Sequence, residues 1–538
     1  MKKLFLVLTL IGLTYVGGHS QVTNAQHDNH NFEIAKNLDI LNSIYCNLDW
    51  YYVDSIQTKE LIRTGIDAML SKLDPYTVYY AEEEMKELEM MTTGKYGGIG
   101  SIIRMRKDST VIIAEPYAGM PATEVGLQVG DVLRRIDKTD LKGKNTEEVS
   151  NMLRGEPGTT FTLEVDRPVF KQETFTPEKY QRLTFNLTRR NIKVPAISYY
   201  GMIDTDGYIC LTQFTEDCSI EVRKAVIALR QQGAQRILLD LRSNGGGLLD
   251  EAVKIVNIFI PAETTIVEVK GRGDIQRHSY KTTDSPLDTD IPVIVLVNQN
   301  TASASEIVAG ALQDLRRGTV VGTKTFGKGL VQSSREIPYN GSLKLTTGKY
   351  YLPSGRCIQR IDYKARRETR DEGQETRKLG NSELGGITPD IEVKHDTLQN
   401  ILFYINNDDA LVDFGTWYYN THDAPASVKD FSITDDDLND FLTLLKERDF
   451  KYDRISERYL TDLKKMMEFE DYYDDAKEEY SALEKKLSHN IDKDVQKYSK
   501  DIRKLLAQEI IKRYFFQAGA TEEFIKDDED IMATKDKK

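Results

Sequence analysis

A hydroxyl and an amine, with no histidine between them, mark residues 300–332 as the part of the chain best suited to chemistry. Ser303 follows an apolar stretch and a short polar turn, so we expect it at the start of a helix. Unpaired N–H groups and the positive end of the helix dipole favour an alkoxide-like nucleophile there. A serine nucleophile needs a base, and the nearest candidate is Lys328, between Gly327 and Gly329. The pattern therefore indicates a serine–lysine hydrolase.

Further groups are placed to assist this pair. A lysine accepts a proton at neutral pH only where an apolar cleft lowers its pKa. Gln332 follows in a predicted strand, in position to orient the Lys328 amine. Residues 240–250 read DLRSNGGGLLD and link a buried strand to a helix. Their glycines allow close approach of the backbone to a ligand, and we expect the backbone N–H of Gly246 to face a developing oxyanion.

Other interpretations of these motifs stay open. A serine at a helix start is often only an N-cap residue, so Ser303 need not be a nucleophile. Residues 322–328 read GTKTFGK and are close to a phosphate-binding loop. However, Gly329 stands where that loop needs Ser or Thr, and a strand is predicted where the loop must lead into a helix. A Ser–His–Asp site would require the fold to bring in His278 or His395.

Hydrophobic periodicity divides the chain into segments of different character. Helical spacing comes first, then short strands with glycine turns, then strands alternating with helices, and finally acidic helical segments. The near-continuous apolar strands of the alternating part indicate a largely parallel sheet. The fold class is multidomain α+β. We expect a signal peptide at 1–25, a helical domain at 26–92, a β domain at 93–192, an α/β domain at 193–396, and a helical region at 397–538 with a disordered tail.

The β domain resembles a PDZ domain in the order of its elements. Its strands and two short helices follow a glycine-rich stretch, YGGIG, at residues 96–100. The resemblance implies that this stretch binds a peptide carboxylate through successive backbone N–H groups, while the next strand offers an edge to the peptide. The peptide-binding residues would be Gly97, Gly98, Ile99 and Gly100. The alternative is a glycine-rich turn in a plain β domain.

Four motifs together resemble the carboxyl-terminal processing proteases, also called tail-specific proteases. They read SASASEIVAGALQD, TFGKGLVQ, DLRxNxGG and YYLPSGRCIQ. The resemblance implies a crotonase/ClpP-like α/β protease core in which Ser303 is the nucleophile, Lys328 the general base and Gln332 its support. The implied oxyanion donors are the backbone N–H groups of Gly246 and Ala304. No metal or cofactor is implied.

Charge and the N-terminal sequence bear on partners and location. The net charge of −13 disfavours a nucleic-acid role. Two lysines followed by a short apolar run are typical of a cleavable signal peptide, and no lipobox cysteine follows. We therefore expect a periplasmic or secreted protein, with membrane contact only through an uncleaved signal. The expected partners are proteins with apolar C-terminal tails, and a second copy bound through the helical ends. The alternative function is a catalytically silent PDZ-type scaffold.

Overall fold

The computed structural model describes residues 21–272, 277–363, 385–395, 399–452, 454–487 and 490–535, with only the backbone for 21–28. Most of the predicted signal peptide, residues 1–20, lies outside these ranges. Contacts divide the chain into two units, Met1–Tyr79 and Tyr80–Lys538.

The first unit is helical, as its apolar spacing predicts. Its helices are Gln21–Tyr51 and Thr58–Ser71. Large apolar side chains stay exposed on it, and Trp50 and Val53 are 73% and 87% accessible. Exposed apolar surface of this extent is typical of an interaction site.

The PDZ-like β domain has the predicted order of elements. One sheet contains five strands, which are given below in spatial order. The short strand Thr139–Asp140 pairs with the third of them. The strands are Ser101–Met105, Val111–Pro116, Val132–Ile136, Thr160–Val169 and Lys179–Thr188. The helices are Pro121–Glu124 and Thr146–Leu153. Asn145 begins the second helix by accepting from the Glu148 N–H, and Val149 and Leu153 face the core.

The α/β domain is built on a six-stranded sheet. Its strands, in spatial order, are Ile197–Ile203, Asp206–Leu211, Arg236–Asp240, Val293–Val297, Gly318–Gly322 and Ile391–Glu392. The first pair is antiparallel and the others are parallel, as predicted. Its helices are Cys218–Gln231, Leu249–Asn257 and Ala304–Asp314. Because Arg236–Asp240 and Val293–Val297 are parallel neighbours, the glycine-rich turn and the Ser303 turn leave the same edge of the sheet.

A second, antiparallel group of strands follows the Lys328 turn. Leu330–Ile337 and Gly341–Tyr351 form a hairpin, and Tyr339 and Asn340 at its turn have φ of 63° and 57°. Two positive φ values in a tight turn match the twist of the paired strands. Gly341–Tyr351 also pairs with Thr265–Gly271, which pairs with Arg277–Lys281.

The C-terminal region is helical and surrounds an aromatic core that includes Phe414, Trp417 and Phe441. Its helices are Asn400–Asn406, Asp409–Thr421, Asp435–Glu447, Ile455–Phe469, Lys477–Leu487, Ile491–Lys497, Ser499–Phe524 and Glu529–Ala533. None of the helices in the described ranges combines the length and apolarity that a membrane span requires.

The end of the chain differs from the predicted disordered tail. Residues 528–535 are described, and Asp530 and Ile531 are only 2% exposed. Ile531 packs in an apolar cluster against the face of the α/β sheet, with Tyr208 and Leu238. The acidic composition suggested a solvated tail, but two of its aspartates pair with an arginine of the α/β domain, as described below.

Candidate active site

Ser303 lies at the strand-to-helix corner that the sequence predicts. It immediately precedes the helix Ala304–Asp314, and it is only 6% exposed. Its φ of 60° and ψ of −118° lie outside the regions that non-glycine residues favour. The turn before it is pinned by Thr301, whose hydroxyl donates to the Leu241 carbonyl at 2.8 Å. Surrounding structure therefore holds Ser303 in a strained conformation of the kind found at functional sites.

A buried carboxylate joins the serine turn to the lysine turn. The Glu306 Oε2 atom accepts the backbone N–H groups of Ser303 at 2.9 Å and Lys328 at 2.8 Å. Its Oε1 atom accepts the Gly327 N–H at 2.7 Å and the Thr325 hydroxyl at 2.6 Å. One side chain with no exposed surface thus fixes the backbone of both predicted reactive residues.

Sequence reasoning missed Glu306, although a local signal was present. A Glu three residues after a Ser at a helix start is the capping-box pattern, and the Ser303–Glu306 bond is half of that motif. Its bonds to residues 325–328 have no local signature. Burial raises the pKa of the Glu306 carboxyl, and the donors that surround it oppose that rise.

Tyr350 is a second neighbour of Ser303 that the sequence did not reveal. Its side chain is 94% buried at the end of the strand Gly341–Tyr351. Burial raises the pKa of the Tyr350 phenol, and its interaction with the Ser303 side chain opposes that rise. The YYLPSGRCIQ motif contained this residue without indicating its role.

The glycine-rich turn lies directly against Ser303. Gly246 has φ of 97°, and a Cβ atom there would be 2.8 Å from the Ser303 Cβ and 2.9 Å from the Ala304 nitrogen. Only glycine fits this approach. The Gly246 N–H donates to the Asn244 Oδ1 at 2.9 Å. Within the described part of the chain, the Ala304 N–H has no hydrogen-bond acceptor.

Asn244 connects the glycine-rich turn to both sides of Ser303. It is fully buried, and its Nδ2 donates to the Leu211 carbonyl at 2.7 Å. The backbone carbonyl of Asn244 accepts the Ala302 N–H and the Ser305 hydroxyl, each at 3.0 Å. The position of the turn relative to Ser303 is therefore set by one asparagine.

The other predicted site residues lie in well-defined places. Gln332 is in the strand Leu330–Ile337, where its Nε2 donates to the Thr346 hydroxyl and the Leu330 carbonyl, both at 3.3 Å. Its support of the Lys328 amine stays a prediction, as does the contact between that amine and the Ser303 hydroxyl.

The predicted peptide loop runs out of a short strand pair. Gly97 and Gly98 end the strand Lys95–Gly98, which pairs with Arg190–Lys193. Ile99 is 3% exposed, and Gly100 has φ of 73°. The loop therefore adjoins both the β-domain core and the strands that lead to the α/β domain, and peptide binding by it stays a prediction.

Comparison with known protein families gives three matches. Residues 206–393 match peptidase family S41, residues 112–167 match the PDZ domain, and residues 401–536 match the C-terminal helical domain of a probable PDZ-protease. Together with the fold and the buried serine, they define a serine-type peptidase that carries a PDZ domain.

Individual relatives place the chain more narrowly. A carboxy-terminal-processing protease of Bartonella bacilliformis is 36% identical over 332 residues, which are 61% of this chain and 73% of the relative. The chain belongs to the carboxy-terminal-processing proteases of peptidase family S41. A probable CtpA-like serine protease of Staphylococcus aureus is 33% identical over 325 residues, 60% of this chain and 62% of that protein.

Among solved structures, the photosystem II D1 C-terminal processing protease is 25% identical to this chain. The similarity covers 66% of this chain and 92% of that one. Its TM-score of 0.35 is too low to support a conclusion about the arrangement of the domains.

Proposed function

We propose that this peptidase cleaves proteins near their C-termini with a Ser303–Lys328 dyad. The observation that carries the proposal is the Glu306 carboxylate, which binds the backbone N–H groups of both residues. Ser303 Oγ attacks the scissile carbonyl while the neutral Lys328 amine takes its proton. Lys328 then protonates the leaving amine, and it activates the water that hydrolyses the acyl-enzyme. Gln332 orients the lysine amine.

The oxyanion of the tetrahedral intermediate is stabilised by backbone N–H groups. The Ala304 N–H supports this role because it begins a helix beside Ser303 and has no acceptor in the described part of the chain. The Gly246 N–H takes part after exchanging its Asn244 acceptor for the oxyanion. Loss of one such donor typically costs about 3 kcal/mol of transition-state stabilisation.

The PDZ-like domain selects the substrate. Residues 97–100 bind the terminal carboxylate, and the adjacent β-domain core accepts apolar side chains of the tail. Ile99 lies within this loop and packs in the apolar β-domain core, which supports a preference for apolar tails. We further propose that the protein acts in the periplasm or outside the cell after its signal peptide is removed, and that the exposed apolar helices of the first unit form a homodimer. A monomeric mass in solution would contradict the dimer.

The test is cleavage of a protein with an apolar C-terminal tail, followed by mass spectrometry of the new C-termini. Ser303→Ala and Lys328→Ala should each lower turnover at least about 1000-fold, because nucleophile or base is lost. Lys324→Ala, in the same loop, serves as the matched control and should keep normal turnover. Normal turnover by either dyad variant would contradict the proposed chemistry. Binding of tails by the wild type without cleavage would favour the scaffold alternative.

A further inference from the structure

The end of the chain contacts the turn that follows the strand Arg236–Asp240. Arg242 Nη1 donates to the Asp528 carboxylate at 2.7 Å and to the Asp530 carboxylate at 2.8 Å. Its Nε and Nη2 atoms donate to Asp240 at 3.0 and 2.6 Å. The guanidinium thus donates hydrogen bonds both to Asp240, at the end of its own strand, and to the C-terminal segment 528–530.

This contact is buried and differs from a surface salt bridge. The side chain of Arg242 is 11% exposed, and those of Asp528 and Asp530 are 4% and 3% exposed. Solvent screens such buried charges only weakly, so the guanidinium and its carboxylates depend on one another for charge balance. The Tyr208 hydroxyl donates to Asp240 at 2.7 Å, and the His395 Nε2 lies 3.0 Å from Asp530. The arginine therefore has little freedom to move while the C-terminal segment stays in place.

Arg242 lies at the start of the glycine-rich turn, directly before residues 243–247. The Arg242 N–H donates to Asp240 at 2.9 Å, and the next residue, Ser243, has φ of 56° and donates its N–H to Asn298 at 2.8 Å. Asn244 follows and binds the Gly246 N–H together with the flanks of Ser303. A shift of the arginine backbone would be transmitted through this short, hydrogen-bonded path to the surface that faces Ser303.

We propose that Asp528 and Asp530 are positioning residues that act through Arg242 to hold residues 243–247 in place beside Ser303. The C-terminal helical domain thereby completes the oxyanion site of the α/β domain. This inference rests on the proposed function for its catalytic consequence. Its structural consequence, the restraint of the turn, is independent of that function.

The segment has other anchors that keep it docked when the aspartates are neutralised. The Arg236 Nη1 donates to the Thr534 carbonyl at 3.1 Å, and Lys535 pairs with Asp204 at 2.7 Å. Ile525 and Ile531 pack in the apolar cluster on the sheet. An Asp528→Asn/Asp530→Asn variant therefore removes the two charges with little change in volume or docking. Lys535→Ala is the matched control because it removes an exposed ion pair of the same segment.

The experiment measures kcat and KM on an apolar-tailed protein, and amide hydrogen exchange in peptides covering residues 241–248. The double variant should lose about 10- to 100-fold in kcat with KM within about twofold of wild type, since misplaced oxyanion donors act on the transition state. Exchange in residues 241–248 should be faster. Lys535→Ala should change neither.

The two readouts separate this proposal from the proposed function. Wild-type kcat in the double variant, or a loss that only follows the folded fraction, would overturn the catalytic role of the pair while leaving the dyad intact. If the wild type itself does not cleave, the proposed function fails, and hydrogen exchange alone decides the restraint. Unchanged exchange in residues 241–248 would then overturn the inference.

Discussion

Replacing Glu306 by Gln should disable the enzyme while leaving most of the fold intact. The carboxylate accepts four donors at 2.6 to 2.9 Å and has no exposed surface. A glutamine keeps one acceptor oxygen and brings an NH₂ group, so in either orientation two donors lose their acceptor and face another donor. Each buried unsatisfied donor costs about 1–3 kcal/mol, and relief of the buried charge offsets part of this cost. We expect a net destabilisation of about 3 kcal/mol.

The effect on turnover follows from the residues that lose their acceptor. Either Ser303 and Lys328, or Gly327 and Thr325, are released from the side chain that joins the two turns. A displacement of about 1 Å between nucleophile and base costs about 100-fold in kcat. The assay is kcat per folded molecule on an apolar-tailed protein, with denaturant unfolding measured alongside.

Glu251→Gln provides the control for this experiment. Glu251 is also a buried carboxylate of the α/β domain, but its partners are the Ser219 N–H at 2.9 Å and Lys254 at 2.7 Å. The Glu251→Gln variant should have a lower free energy of unfolding but a wild-type kcat per folded molecule. Normal kcat in Glu306→Gln, or an equal loss in Glu251→Gln, would refute the reasoning that Glu306 sets the dyad geometry.

Two further predictions concern the glycine-rich turn and the link between domains. Gly246→Ala should lower kcat about 100-fold, because its Cβ would lie 2.8 Å from the Ser303 Cβ, whereas Gly245→Ala should stay near wild type since a Cβ there meets nothing within 4 Å. Steady-state kinetics on both variants distinguish a tight approach from a general need for glycine. Burial raises the pKa of Asp413, but Arg106 and Arg448 lower it further, so its net pKa is below the ordinary Asp value. The carboxylate therefore stabilises the fold at pH values above the ordinary Asp pKa, and this stabilisation is lost as pH falls through the lower folded-state pKa. Asp413→Asn should therefore lower the free energy of unfolding by about 3 kcal/mol at pH 7 and flatten the acid side of its pH dependence. The control Asp108→Asn, at an exposed position beside Arg106, should lower it by less than about 0.5 kcal/mol. Equal losses of unfolding free energy in the two variants would contradict this role of Asp413.

Local sequence patterns were sufficient for the elements and for the position of Ser303 before a helix. Ser303 was placed at a helix start because a buried apolar strand and a short polar turn precede it, and both features are local. The order of the β-domain elements was predicted for the same reason. The glycines of the glycine-rich turn were predicted to allow close approach of the backbone to a ligand, and the structure shows Gly246 packed directly against Ser303.

Only the tertiary structure decided which distant groups complete the site. The bonds from Glu306 to the lysine turn span 19 to 22 positions, and those from Arg242 to Asp528 and Asp530 span 286 and 288. Composition made the acidic C-terminal residues look solvated, because charges are exposed unless a partner is buried with them. That partner lies at the edge of a sheet in another domain, and no local pattern records such a pairing. The sequence by itself thus determined the elements and predicted which residues react, and the fold determined what holds those residues in place.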